Sequence, residues 1–176
     1  ESDYKPSDKL DGGIIYQIFP DRFFASGAPK KGVPEDRFIK TDIFSQPEYR
    51  QNNGLCSLGN DYYCGDLKGI EEKLDYIESL GVSIIYLNPV FEAHSNHRYN
   101  TADYMKIDPM LGDEDDLKSL CAAAEKRGIT VILDGVFSHT GDDSVYFNKY
   151  RRYGDGGAYN DRNGKYSSWY TFVNYE

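Results

Sequence analysis

The chain has little that would commit it to a membrane, to nucleic acid or to a cystine framework. No apolar run approaches the roughly 20 residues that a membrane-spanning helix needs, and mean hydropathy is −0.66. There is no initiator methionine and no charged leader followed by an apolar stretch. Both ends, Glu1-Ser2-Asp3-Tyr4 and Phe172-Val173-Asn174-Tyr175-Glu176, read as cuts within a longer chain. Positive charge is in short supply: 20 Lys and Arg stand against 29 Asp and Glu, a net charge of −9. Without a basic face to track phosphates, the expected partners include no nucleic acid and no membrane. The three cysteines, Cys56, Cys64 and Cys121, are odd in number and match no zinc spacing. Cys56 and Cys64 share a loop and would pair only in an oxidising compartment. Cys121 falls on the apolar face of a predicted helix, where it reads as a buried small hydrophobe. Nothing decides between a cytoplasmic and a secreted location.

Aromatic residues, by contrast, are plentiful at 15%, with 16 Tyr. A tyrosine joins an apolar ring to a hydroxyl, which suits a surface that stacks on neutral sugar rings. Filling loops and walls is the competing use of any single Tyr.

Periodicity outlines the fold. Ile14-Ile15-Tyr16-Gln17-Ile18-Phe19, ended by Pro20, reads as a strand. From Asp21 to about Tyr63 the chain has turn-forming composition and no helical period, and loops of this length usually carry function. Leu67, Ile70, Leu74, Ile77 and Leu80 recur at three- and four-residue steps, predicting a helix with Asp66 as N-cap and Gly81 as its stop. Val82–Leu87 is a second strand, closed by Asn88-Pro89, and Val90–Gly112 reads as a loop. Asp113, Glu114, Asp115 and Asp116 open a second helix, where the dipole favours negative charge. Its apolar face is Leu117, Leu120, Cys121 and Ala124, and Gly128 closes it. Ile129–Leu133 is the third strand.

The order βαβαβ, with strands that are continuous apolar runs, predicts parallel pairing under covering helices. A doubly wound sheet and a (β/α)8 TIM barrel both begin this way. The Gly-rich turn of the nucleotide fold is missing after the first strand, and the long loops at strand C-termini favour the barrel. A barrel needs roughly 250 residues, so about three β/α units are present. Residues 1–140 are assigned to the barrel and residues 141–176 to the start of an inserted domain, rich in Gly and Tyr, with no trusted period.

In a barrel the C-terminal ends of strands face the active site. Strand two leads to His97-Arg98-Tyr99-Asn100, and strand three ends at Asp134 with His139 just beyond. As isolated residues these are as easily a turn carboxylate, surface imidazoles and a packing ring; their shared position favours a site.

Five colinear stretches carry a resemblance. Tyr16–Phe23, Gly65-Asp66-Leu67-Lys68-Gly69-Ile70, Gly81–Pro89, Asn96–Tyr104 and Asp134-Gly135-Val136-Phe137-Ser138-His139 resemble successive motifs of the α-amylase family of glycoside hydrolases. The wording Asn-His-x-Tyr-x-Thr-Ala-Asp-Tyr is nearest the neopullulanase, cyclomaltodextrinase and amylopullulanase branch. The resemblance implies an α-glucan oligosaccharide substrate cleaved with retention. Tyr99 would stack on the ring at the cleaved bond, His97 and His139 would bond its hydroxyls, Asp134 would hold the floor of the site, and Phe137 would line the cleft. The nucleophile and the acid/base, about 5–5.5 Å apart in retaining enzymes, belong to later strands, so no catalytic residue is expected here and these residues alone should be inactive. The apolar edges of a partial barrel could be covered by a second copy in a homodimer.

Three departures stand out. Ser138 replaces the Asn of the third-strand motif, which often binds the family's structural calcium. The branch's other calcium loop, usually Asp-Arg-Phe-x-Asn-Gly-Asp, continues here as Phe24-Ala25-Ser26-Gly27-Ala28-Pro29-Lys30-Lys31, without the oxygen donors a hard cation needs. No cofactor is therefore expected and that calcium site should be lost. Cys64 and Asn100 replace a usual Gly and Asp. Competing readings are a transglycosylase of the same architecture, a non-catalytic carbohydrate-binding relative, and an unrelated barrel using His97, His139 and Asp134 as metal ligands.

Overall fold

A computed structural model of the chain describes residues 10–47 and 59–174. In order, its elements are β1 (Ile15–Ile18), α1 (Pro20–Phe23), β2 (Phe38–Ile39), β3 (Asp61–Tyr62), α2 (Leu67–Glu72), α3 (Leu74–Ser79), β4 (Ile84–Leu87), β5 (Phe91–Ala93), β6 (Thr101–Ile107), α4 (Glu114–Glu125) and β7 (Thr130–Leu133). Beyond β7 the chain runs in turns, with one short 3-10 helix at Ser167–Trp169.

The three runs predicted as strands form one parallel sheet in the order β1-β4-β7. They step in phase, from Ile15, Ile84 and Thr130 at one end to Ile18, Leu87 and Leu133 at the other. Side chains alternate along a strand. Ile18, Ile85 and Leu87 therefore point to the helices and join Leu67, Ile70 and Leu74 in the core. The opposite parity belongs to Gln17 and Tyr86, and it continues past the strand ends to Asn88 and Asp134.

Asp66 caps α2 as expected, its Oδ1 accepting from the Gly69 amide at 2.6 Å. The single predicted helix is instead broken at Lys73, which has φ −100° and ψ 8°. The apolar stripe survives the break: Leu67, Ile70, Leu74 and Ile77 are all fully buried, each contributing about 1.5–3 kcal/mol. Leu80 does not share it; it sits at the C-cap and is 44% exposed. Two glycines permit α1 to lie against the start of α2. A Cβ at Gly65 would be 2.1 Å from the Pro20 carbonyl oxygen, and one at Gly69 would be 2.1 Å from that of Phe24.

In α4, Asp113 and Asp116 form a reciprocal capping box, which satisfies two otherwise orphaned donors. Leu120 and Ala124 are buried and Leu117 packs beside them. Cys121 is exposed, contrary to expectation. It lies one position round from Leu120 and lines an open groove with Lys118, Ile129 and Val131, next to the edge strand β7. The Cys56–Cys64 pairing lies outside the described residues.

The stretch read as a loop between β4 and α4 is largely an antiparallel hairpin, β5 with β6, whose register shifts at Phe91/Glu92 and Glu92/Ala93. Its tip is fixed from inside. Arg98, only 1% exposed and with φ +60°, donates to Asp108 Oδ1 at 3.2 Å and to the Asn96 carbonyl at 2.7 Å. Asp108 is fully buried and also accepts from the amides of Ala93 (3.2 Å) and Met110 (2.9 Å). Beside this pair the Tyr62 ring lies beneath the guanidinium groups of Arg37 and Arg98. Desolvation pushes the Tyr62 hydroxyl up to about 12, against the opposing pull of those two charges.

A second polar network ties the hairpin to residues 141–155. His94 Nδ1 faces Arg37 Nη2 at 3.4 Å, so its proton sits on Nε2, which faces the Tyr153 hydroxyl at 3.3 Å. Tyr153 in turn donates to Glu92 (3.2 Å). Burial holds His94 below the ordinary histidine value; Asp143 opposes this, and Arg152 and Arg37 add to it.

Two outcomes follow from these buried groups. Asp108→Ala strands a buried guanidinium and is expected to lose about 3–5 kcal/mol in urea unfolding; a loss below about 1 kcal/mol would refute the importance of the pair. Stability is expected to hold above about pH 6.5 and to decline as pH falls from there through the lower folded value, because the unfolded chain takes up a proton that folded His94 resists. Urea midpoints between about pH 7.5 and 5.5 check this, and His94→Gln should flatten the slope.

Candidate functional site

The site is assembled from the parity of the sheet. Gln17 in β1, Asn88 just past β4 and Asp134 just past β7 share the face turned away from the helices. The backbone ladder continues to carry them, with the Asn88 amide on Ile18 O (2.9 Å) and the Asp134 amide on Leu87 O (3.0 Å). Tyr99, from the hairpin tip, reaches down between them. Gln17 Nε2 donates to Asn88 Oδ1 (2.8 Å), Asn88 Nδ2 donates to the Tyr99 hydroxyl (3.3 Å), and that hydroxyl donates to Asp134 Oδ2 (3.0 Å). One chain of hydrogen bonds thus crosses all three strand ends.

A second tyrosine serves the same carboxylate. The nearby Asp134 carboxylate, together with desolvation, raises the pKa of the Tyr86 hydroxyl. Tyr99 is raised by desolvation first and then by its own bond to Asp134. Both phenols accordingly remain protonated, and Asp134 is held as an oriented acceptor by the Tyr99 hydroxyl.

His97 stacks on Tyr99, with ring centroids 6.0 Å apart and planes inclined by 25°. Its Nδ1 accepts the Tyr99 amide hydrogen at 3.1 Å, which puts the proton of the neutral ring on Nε2. Desolvation and then the Arg98 charge lower its pKa, so the ring stays neutral while one edge remains open to solvent. Together they present an aromatic face, an N–H donor and a carboxylate, the set of groups that a sugar ring and its hydroxyls require.

His139 and Phe137 stand apart from this trio; no hydrogen bond or ring contact joins them to Tyr99 or Asp134 among the described residues. The Tyr104 hydroxyl holds the turn between them, lying between the carbonyls of Val136 and His139. Phe137 leans on the Tyr104 ring at 5.7 Å and is 82% exposed. His139 and Phe137 line a neighbouring concavity of about 700 Å³ with Tyr146, Trp169 and Tyr170. Of the five residues singled out, the structure therefore unites Tyr99, His97 and Asp134, and places the other two on an adjoining surface.

Gln17 and Tyr86 were missed because both sit inside runs that read as core strands. A period-two count from Asp134 back across the paired strands is the signal that finds them. Among the described residues no three His, Cys, Asp or Glu side chains come together at a spacing suited to a metal ion. His97 Nδ1 takes the Tyr99 amide hydrogen, Asp134 takes the Tyr99 hydroxyl hydrogen, and His139 Nδ1 faces Ser138 Oγ.

Comparison with known proteins extends this geometry. The sequence matches the family described as alpha amylase, catalytic domain, over residues 17–175. It is 44% identical over 189 aligned positions to an amylopullulanase of Thermoanaerobacterium saccharolyticum, covering 97% of this chain and 15% of that protein. It is 39% identical to neopullulanase 2 of Thermoactinomyces vulgaris, covering 84% of this chain and 23% of the relative. The cyclic α-maltosyl-(1→6)-maltose hydrolase of Arthrobacter globiformis, solved with that cyclic sugar, is similar at a TM-score of 0.70 and 33% identity, over 90% of this chain and 31% of the other. The chain thus spans less than a third of the length of each of these three proteins. A match along almost the whole chain, on a parallel sheet that opens in the βαβαβ order, means that it belongs to the α-amylase family of glycoside hydrolases and forms an N-terminal part of the family's (β/α)8 catalytic barrel.

Proposed function

We propose that the whole protein hydrolyses α-1,4 or α-1,6 glucosidic bonds of starch-derived oligosaccharides with retention, and that these residues form the floor and one wall of its ring-binding pocket. The observation that carries this reading is the Tyr99–Asp134 hydrogen bond anchored through Asn88 and Gln17. It fixes an aromatic face over a carboxylate at the ends of adjacent parallel strands. The Tyr99 ring stacks on the glucose ring at the cleaved bond, and His97 Nε2–H donates to a hydroxyl of that ring. His139, with Phe137 beside it, contributes from the neighbouring surface. The names of the similar proteins, two pullulanases and a hydrolase of a cyclic maltosyl-maltose, support an α-glucan substrate.

The bond-breaking step lies outside these residues. Retention needs a carboxylate nucleophile and a second carboxyl group that first protonates the leaving oxygen and then activates water. The proposal assigns both to later strands, with residues 141–176 as the start of an inserted domain. Residues 1–176 alone should bind sugar at most and cleave nothing. A transglycosylase would share this half of the pocket and differ on the acceptor side.

Testing begins with the full-length gene product on maltotriose, pullulan and β-cyclodextrin, following the anomeric form of the first product by proton NMR. α-Configured product supports the proposal; initial β product, or binding without cleavage, overturns it. Within that protein, Tyr99→Phe keeps the ring but loses the charge-assisted hydrogen bond, and kcat/KM is expected to fall about 10-fold or more. Tyr99→Ala removes the stacking face as well and is expected to lose at least about a further 10-fold. Equal activity of the wild type and Tyr99→Ala would remove Tyr99 from the pocket.

A further inference from the structure

The segment that follows α1 is where the family resemblance implies a structural calcium, and the residues here do not fit one. The segment 24–31 brings no carboxylate, and the carboxylate nearest to it, Asp66, is already saturated. Asp66 Oδ1 accepts from the amides of Gly69 (2.6 Å) and Ser26 (3.3 Å), and Oδ2 accepts from Ser26 Oγ (2.8 Å) and Lys30 Nζ (2.7 Å). A carboxylate offers about four lone-pair sites, and four protein donors occupy them. The fourth donor carries a full positive charge at contact distance, so a divalent cation would meet repulsion where it needs oxygen. Lys31 and Lys68 line the same hollow, and so do Asp113 and Asp116, whose carboxylates accept backbone amides in the capping box of α4. Calcium takes about six to eight oxygen ligands, and among the described residues no three His, Cys, Asp or Glu side chains are grouped to hold a metal ion, the carboxylates of this hollow included.

We propose that the Lys30 ammonium is itself the cation of this position: it clamps the segment after α1 onto the N-terminus of α2, and that attachment needs no metal. The geometry suits a permanent clamp. Lys30 and Asp66 side chains are only 14% and 4% exposed, which shields the pair from salt. Ser26 closes the loop from within, its hydroxyl accepting the Ala28 amide (3.1 Å) while donating to Asp66. Gly65 and Gly69 let the α1 backbone approach, and the ammonium neutralises the carboxylate that the approach buries. A lysine tether differs from a metal in one functional respect: it cannot be removed by a chelator or by scarcity of the ion.

The test reads this segment alone, because calcium could act elsewhere in a longer protein. Hydrogen exchange of residues 24–31 is followed by mass spectrometry in the full-length protein, in EDTA and in calcium chloride, for the wild type, Lys30→Met and Lys30→Arg. The expected result is equal protection of the wild-type segment in both buffers. Lys30→Met should exchange about 10-fold faster in both, as suits a lost charged hydrogen bond, and Lys30→Arg should stay near wild type. Protection that falls in EDTA and returns with calcium would overturn the proposal, as would wild-type protection in Lys30→Met. If Lys30→Met does not fold, the two wild-type buffers and Lys30→Arg still decide it.

Discussion

The rest of the structure depends on one buried ion pair, Arg98 with Asp108. Two charges out of water are tolerated only when nearly every hydrogen-bonding position is filled. Asp108 meets this by gathering the guanidinium and two backbone amides, one from β5 and one from the turn before α4. A single carboxylate therefore joins the base of the hairpin, its tip and the entrance to the second crossover helix. The two residues that flank Arg98, His97 and Tyr99, are the ones assigned to the proposed pocket. Their position is set from behind, by a side chain that never touches the cleft.

The sheet contributes the other coordinate. Three strands in phase deliver Gln17, and two residues further on Asn88 level with Asp134, on one face, and the hairpin lowers Tyr99 onto them. Neither part suffices alone. The strands provide a regular, in-phase register, and the hairpin provides the Tyr99 ring but has shifted, irregular pairing. The hydrogen bond from Tyr99 to Asp134 is where the regular part and the irregular part of the molecule are registered against each other.

Much of this was legible in the residues. The aliphatic steps from Leu67 to Ile77, the capping Asp66 and Asp113 and the three apolar strand runs follow from periods that backbone geometry imposes. Tyr99, His97 and Asp134 could be grouped because strand ends share a rim. The hairpin could not be read, because its buried residues Thr101, Ala102 and Asp103 are small or polar and show no alternation. Arg98 reads as a surface residue until its carboxylate partner, ten positions away, is seen to be buried with it. The break at Lys73 leaves no trace in the apolar stripe, since the buried face stays in register across it. Cys121 was misplaced because a helical face was counted as one residue too wide on the side that meets the groove.

The amide of Asn88 gives the rim a polarity. Because Gln17 donates to its oxygen, its nitrogen must turn toward Tyr99, and the Tyr99 hydroxyl, receiving that hydrogen, has its own proton free for Asp134. The chain of bonds can be followed in one sense only, from the first strand to the third. Exchanging the donor for an acceptor at its origin, as Gln17→Glu would, asks the Asn88 amide to turn round. Its oxygen would then claim the tyrosine proton, and the carboxylate at the far end would lose the Tyr99 hydrogen although nothing near it had changed. The first strand thus sets the sense of a hydrogen bond two strands away, and its identity at position 17 is a constraint on the floor of the proposed pocket.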